Sequence, residues 1–190
     1  TAPWAALRTH WYEPTGQRVL VTKVDVAARR ILELDGRSAG QRWAEIAGVP
    51  PEHLTFGFPE QYLRWSLAMK VGREHFLRSI CKSMQDDTPE SMNMVQEDLE
   101  LEVMRAGDIV ESTRRFFTDE LPRRVQNPTA ALLFDCGARK FYAHLTGKVG
   151  EVGATLASAP PAAGSTVQFE TYCGFMVNST LTSLVFGSAS

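Results

Sequence analysis

Residues 129 to 140 read Thr-Ala-Ala-Leu-Leu-Phe-Asp-Cys-Gly-Ala-Arg-Lys. Successive side chains of a strand point to opposite faces. The Ala-Leu-Leu-Phe part is apolar on both sides, which predicts a strand over 129–135 covered on both faces. Asp135 and Cys136 end it, Gly137 and Arg139 follow at once, and a helix is predicted from there to about Ala157. Gly147, Gly150 and Gly153 lie along that helix. Glycine costs about 1 kcal/mol per helical site against alanine, so the helix is weak or is closely approached there.

Upstream, Asp108 with Glu111 three residues on has capping-box spacing. Ile109, Phe116, Phe117 and Leu121 give the helix that follows an apolar stripe, and Pro122 is expected to end it. Leu99, Leu101 and Val103 alternate with Glu100 and Glu102, the pattern of a half-buried antiparallel strand. Strands are also predicted over 18–24, 28–34, 74–84 and 92–95, with turns at Asp35-Gly36 and over 85–90. Ser38 and Gln41 open a helix that Gly48 and Pro50-Pro51 close. Residues 53–60 read as loop, and 62–69 as either a strand or a short helix. Residues 1–17, with Trp4, Trp11 and Tyr12 among prolines and a glycine, read as an aromatic-rich arm or the remnant of a preceding domain. Residues 158–164 read as a connector. Two strands, near 165–172 and 175–186, close the chain around Cys173-Gly174 as a tight turn. Hairpins dominate with interspersed helices, so the expected class is α+β with a mainly antiparallel sheet.

The chain has 190 residues, with 20 basic and 22 acidic side chains. That near-neutral balance argues against nucleic acid as a partner. No run approaches the roughly 18 apolar residues of a membrane helix, so membrane insertion is not expected. The three cysteines, Cys81, Cys136 and Cys173, are odd in number and lack CxxC spacing, which points to a reducing cytoplasm. The four histidines form no HxxxH or HExxH pair, and no metal or cofactor is implied.

The end of the 129–135 strand is the place to look for chemistry. Unpaired N–H groups at a helix start attract anions. Gly137 would let a ligand approach the backbone. Arg139 offers a two-pronged donor to a carboxylate or phosphate. Cys136 between them can line a pocket, pack as a small hydrophobe, or act as a thiolate with a lowered pKa. A nucleophile would need a base, and His144 is about two helical turns, or ~12 Å, further along. In the last strand, alternation puts Asn178, Thr180 and Thr182 on one face, lining a polar pocket or a solvated surface.

Taken in order, RVLVTKV, ARRILELDGRSAGQRW, LELEVMRAGDIVES, ALLFDCGARK and TYCGFMVNSTLTSLVF give the chain a family resemblance. From about Val19 to Phe186 it resembles the C-terminal half of the FIST domain, the module of F-box and intracellular signal transduction proteins. The most specific pieces are Leu133-Phe134-x-Cys136-x-x-Arg139 and Thr171-Tyr172 followed by Asn178-x-Thr180-Leu181-Thr182. Where the family tends to have Gly-Glu after the Thr-Tyr, this chain has Cys173-Gly174. On this basis residues 18–190 are expected to form a FIST C-terminal-like domain.

The resemblance implies a non-catalytic sensory module that binds a small ligand such as an amino acid, or, beside an F-box, a module that recruits protein substrates. A signalling protein would then be a partner. The expected ligand-binding set is Cys136, Gly137, Arg139, Tyr172, Asn178 and Thr180. Arg139 and the backbone at Gly137 would hold an acidic group in an open hollow. A protein-interaction module with Arg139 in an internal salt bridge and a flat apolar patch elsewhere is the second expectation, and a cysteine-dependent enzyme the third.

Overall fold

The computed structural model describes residues 3–54, 60–83 and 88–188, the side chains of 81–83 excepted. Most of the loop expected over 53–60 and of the turn expected over 85–90 lies outside the described residues. The fold is α+β with mostly antiparallel sheets. It divides into two compact units, one of Thr1–Trp11 and Gly107–Ser190, the other of Tyr12–Ala106. The boundaries therefore fall near residues 11 and 107, and not at 17.

The first unit opens with β1 (Trp4–Thr9). Residues 1–17, expected as an arm, instead supply this strand and the start of the next. The second unit follows whole. Its elements are β2 (Tyr12–Asp25), β3 (Arg30–Leu34), β4 (Arg37–Ser38), α1 (Ala39–Ala47), a 3-10 turn (Pro51–His53), α2 (Glu60–Arg64), β5 (Trp65–Val71), β6 (Glu74–Arg78), β7 (Ile80–Ser83), β8 (Pro89–Ser91) and β9 (Leu99–Ala106). The strands form one sheet in the order β6-β5-β9-β2-β3-β8-β7, with β4 on β3. Leu101 and Val103 point into its core as the alternation requires, beside Val21, Ile31, Leu34 and Leu67. Trp43 stacks on Tyr62 with ring centroids 5.6 Å apart. The strand expected over 74–84 is broken at Ser79 into β6 and β7. The short strand expected at 92–95 lies instead at Pro89–Ser91.

The chain returns to the first unit through α3 (Ile109–Arg115), a π-helical turn (Phe116–Glu120) and α4 (Leu121–Arg124). Asp108 caps this run by accepting from the backbone N–H of Val110 (2.8 Å) and of Glu111 (3.1 Å). Pro122 does not end the helix as expected. In a regular α-helix its ring would meet the carbonyl four residues back. The wider π turn just before it provides the room.

The remaining elements are β10 (Pro128–Cys136), α5 (Gly137–Leu145), α6 (Val149–Leu156), β11 (Ala162–Val167), β12 (Glu170–Tyr172), β13 (Phe175–Val177) and β14 (Leu181–Gly187). The helix expected to run to Ala157 is thus two helices, divided at Gly147, whose φ of 71° only glycine adopts freely. The connector expected over 158–164 gives way to β11, a parallel neighbour of β10. The four-stranded sheet runs β1-β14-β10-β11, while β12 and β13 pair separately around Cys173-Gly174. Those two residues have φ of 50° and 80°, the left-handed pair a tight hairpin turn demands. One face of the four-stranded sheet packs Ala131, Leu181 and Val185 against Phe116, Phe117, Leu121 and Val125. The strand at 129–135 was expected to be covered on both faces. It is covered on this one, and Leu132 and Phe134 on the other are about 40% exposed.

Candidate functional site

Strand β10 ends where α5 begins, so Asp135 and Arg139 lie four residues apart across the junction. Arg139 is completely buried. Its Nε donates to Asp135 Oδ1 at 2.6 Å and its Nη2 to Thr113 Oγ1 at 2.6 Å. Thr113 in turn donates to the carbonyl of Ile109. The guanidinium carbon lies 5.7 Å from the centroid of Trp11, and Trp11 stacks on Tyr142. The expectation that Arg139 offers its fork to a ligand in an open hollow is therefore corrected. Two of its three nitrogens are engaged inside the protein, and Asp135 already balances its charge. Only Nη1 has no hydrogen-bond partner within the protein. Burial holds the Asp135 carboxyl above its ordinary range even against the pull of Arg139.

Cys136 is buried, and its thiol donates to the carbonyl of Gln168 at 3.5 Å. Burial pushes its pKa up, and Glu170 adds to the effect. The backbone N–H groups of Ala138, Ser179 and Thr180 pull the other way and do not prevail. The lowered pKa a nucleophile would need is not found. At Gly137 an added Cβ would meet the carbonyl of Val167 at 3.5 Å. The neighbouring strand β11, and not a ligand, occupies the space that the missing side chain leaves.

The other expected residues divide. Asn178 and Thr180 are buried beside Cys136. The Asn178 amide donates to the same Gln168 carbonyl (3.2 Å), and the Cys136 N–H donates to the Thr180 carbonyl (3.0 Å). Tyr172 stands apart from them. Its ring lies under the Arg8 guanidinium at 5.3 Å.

Sequence reasoning missed Glu170. It is 6% exposed, and neither carboxylate oxygen has a hydrogen-bond partner within the protein. Its pKa is raised to about 8, first by burial and then by the charge of Asp135. Thr180 offsets part of the rise without a hydrogen bond of normal geometry. The signal that could have found it is alternation along β12. Glu170 and Tyr172 share a side there, while Thr171 faces solvent.

The result is a closed polar cluster. Arg139 Nη1, Asn178 Oδ1, Thr180 Oγ1, Ser183 Oγ and both oxygens of Glu170 are buried without partners in the protein. Groups in that state cost roughly 1–3 kcal/mol each unless something polar meets them. Comparison with family models, with curated proteins and with solved structures found no match. Among the described residues no three His, Cys, Asp or Glu side chains stand together as a metal ion would require. Two hollows, of about 400 Å³ beside Trp65 and Arg105 and about 260 Å³ beside Lys70 and Glu102, lie in the second unit and touch none of these residues. No helix among the described residues is long and apolar enough to cross a membrane.

One consequence concerns the thiols. Cys173 is exposed and Cys136 is buried with a raised pKa. At neutral pH a thiol reagent is expected to modify Cys173 at the rate of a free thiol and Cys136 at least 100-fold more slowly, limited by local opening. Mass spectrometry of timed aliquots reads this, and equal rates would restore the case for a nucleophile.

Proposed function

We propose that the chain is a non-catalytic ligand-binding module of an intracellular signalling protein, and that the polar cluster at Glu170 receives a small zwitterion such as an amino acid. The set of unpartnered buried atoms carries this reading. One guanidinium N–H at Arg139 suits a carboxylate, and the acceptors of Glu170 and Asn178 suit an ammonium. With Asp135 already matching Arg139, an acid alone would bring an unbalanced charge. A zwitterion brings none, provided Glu170 ionises against its ammonium group. The cluster is closed, so entry requires a wall to move. The hairpin β12–β13 is the weakest wall, held as a two-stranded ladder of three residue pairs.

A thermal-shift screen of amino acids against simple carboxylates and simple amines tests this. At least one amino acid is expected to stabilise the protein, with a gain of about 2.7 kcal/mol at a hundredfold excess over Kd. The simple acids and amines are expected to do much less. The Glu170→Gln variant should lose the response. Affinity should rise by up to tenfold per pH unit below about 8, because an ammonium group needs the ionised carboxylate. An equal response in Glu170→Gln, or no response to any amino acid, would remove the proposal.

A module that docks other proteins is the second reading. The internal pairing of Arg139 and the uncovered apolar face of the four-stranded sheet favour it.

A further inference from the structure

The four-stranded sheet of the first unit carries its helices on one face. The register sets the other face in rows. Trp4 lies beside Phe186, and Ala6 lies beside Leu184, which lies beside Leu132. Phe134 follows in the next row, beside Thr182. Trp4 is 65% exposed, Leu132 40%, Phe134 39% and Phe186 38%. The charge on this face, Arg8, sits at one end over the Tyr172 ring. Bare patches of this extent are uncommon on monomers and mark interaction sites.

We propose that this face joins a second copy of the chain as a weak two-fold dimer. The inference goes beyond the ligand reading and does not depend on it. Its first support is charge. The two rows from Trp4 to Leu132 carry none, so the matching surface must also be uncharged, and the face is its own complement. A two-fold axis through such a patch makes an isologous contact that closes at two copies. Leu184 lies in the middle row, between Ala6 and Leu132, so that axis passes near it. The second support is size. Four strands about 4.8 Å apart and six residues of about 3.3 Å give a flat footprint of roughly 400 Å² per copy. The protruding Trp4 and Phe186 rings raise the accessible area above that figure. Stable interfaces bury about 800 Å² per partner, so the pair falls at the weak end. The two faces would pack about 10 Å apart, as in sheet-on-sheet sandwiches.

Sedimentation velocity across about 1 to 500 μM is expected to show a monomer–dimer equilibrium with its midpoint between roughly 10 and 200 μM. Leu132→Lys and Trp4→Lys should each leave the protein monomeric throughout the range. Trp4 lies largely in solvent, so its variant keeps the test valid if Leu132→Lys fails to fold. In a Cys173→Ser background, Leu184→Cys should form a disulfide to its own copy under mild oxidation. A protein that stays monomeric at the highest concentration would overturn the proposal, including the case in which a different partner uses the face. So would a dimer indifferent to both lysine variants, or one in which Leu184→Cys is never cross-linked.

Discussion

Replacing Arg139 by alanine is expected to destabilise the protein by about 3–5 kcal/mol, the loss that follows when one member of a buried ion pair is removed. The magnitude comes from what is left behind. Asp135 would remain largely buried without its 2.6 Å partner, and its carboxyl, already above its ordinary range, would move higher. Thr113 Oγ1 would lose its donor, and the Trp11 ring would lose the cation beside it. Urea unfolding followed by fluorescence measures the loss. A double-mutant cycle separates the pair from the packing. Asp135→Ala in the Arg139→Ala background should recover part of the loss, because it removes the stranded carboxylate. Arg139→Lys should fall between, since an ammonium cannot supply the Nε and Nη2 contacts together. A loss below about 1 kcal/mol for Arg139→Ala would mean that the pair is solvated, in the range of a surface salt bridge, and that Arg139 is available to a ligand after all.

The same residue shows where sequence reading succeeds and where it stops. Rules that act over a few residues held. Asp108 caps its helix, Asp35-Gly36 and Cys173-Gly174 turn with positive φ, and Leu101 and Val103 face the core. The strand 129–135 was legible from its apolar content, but not that one of its faces would be left bare. Content tells what can be buried and not what is present to bury it. Strand β1 was missed because its partners, Leu181 to Phe186, lie at the far end of the sequence. Trp4 also looked like part of a loop beside Pro3.

At the site, the four-residue spacing of Asp135 and Arg139 was visible in the sequence. The closure by Thr113 and Trp11 was not, because both come from distant elements. Glu170 was hidden for a different reason. Carboxylates are ordinarily outside, and nothing local marks the exception. A side chain buried against that tendency, with two oxygens unmet, is a conflict between local preference and fold of the kind that gathers at functional sites.

That conflict has a measurable signature in Glu170→Gln. The folded-state pKa of Glu170 is about 8 against an ordinary 4.5. Between those values the folded protein binds one proton more than the unfolded chain. The group's contribution to stability is therefore complete below about pH 4.5 and is lost as pH rises towards 8, with a slope of up to about 1.4 kcal/mol per pH unit. At pH 7 the accumulated loss is roughly 3 kcal/mol. Glutamine fills the same space without titrating, so Glu170→Gln should equal the wild type near pH 4 and exceed it by up to that amount at pH 7. Other carboxylates cannot imitate this. Asp35, Glu102 and Asp108 have lowered pKa values, so their contribution is present above the ordinary range and is lost as pH falls. Asp135 shifts in the same direction as Glu170 but is common to both proteins and cancels in the difference. A bound ammonium group would reverse the sign at pH 7, because it makes the ionised carboxylate the favoured form and gives the wild type an advantage that the variant lacks. Chemical denaturation at intervals from pH 4 to 8, with and without a stabilising amino acid, reads both effects. Parallel curves for the two proteins without ligand would show that the carboxyl of Glu170 is solvated, and the closed cluster would then have no unmet acceptor at its centre.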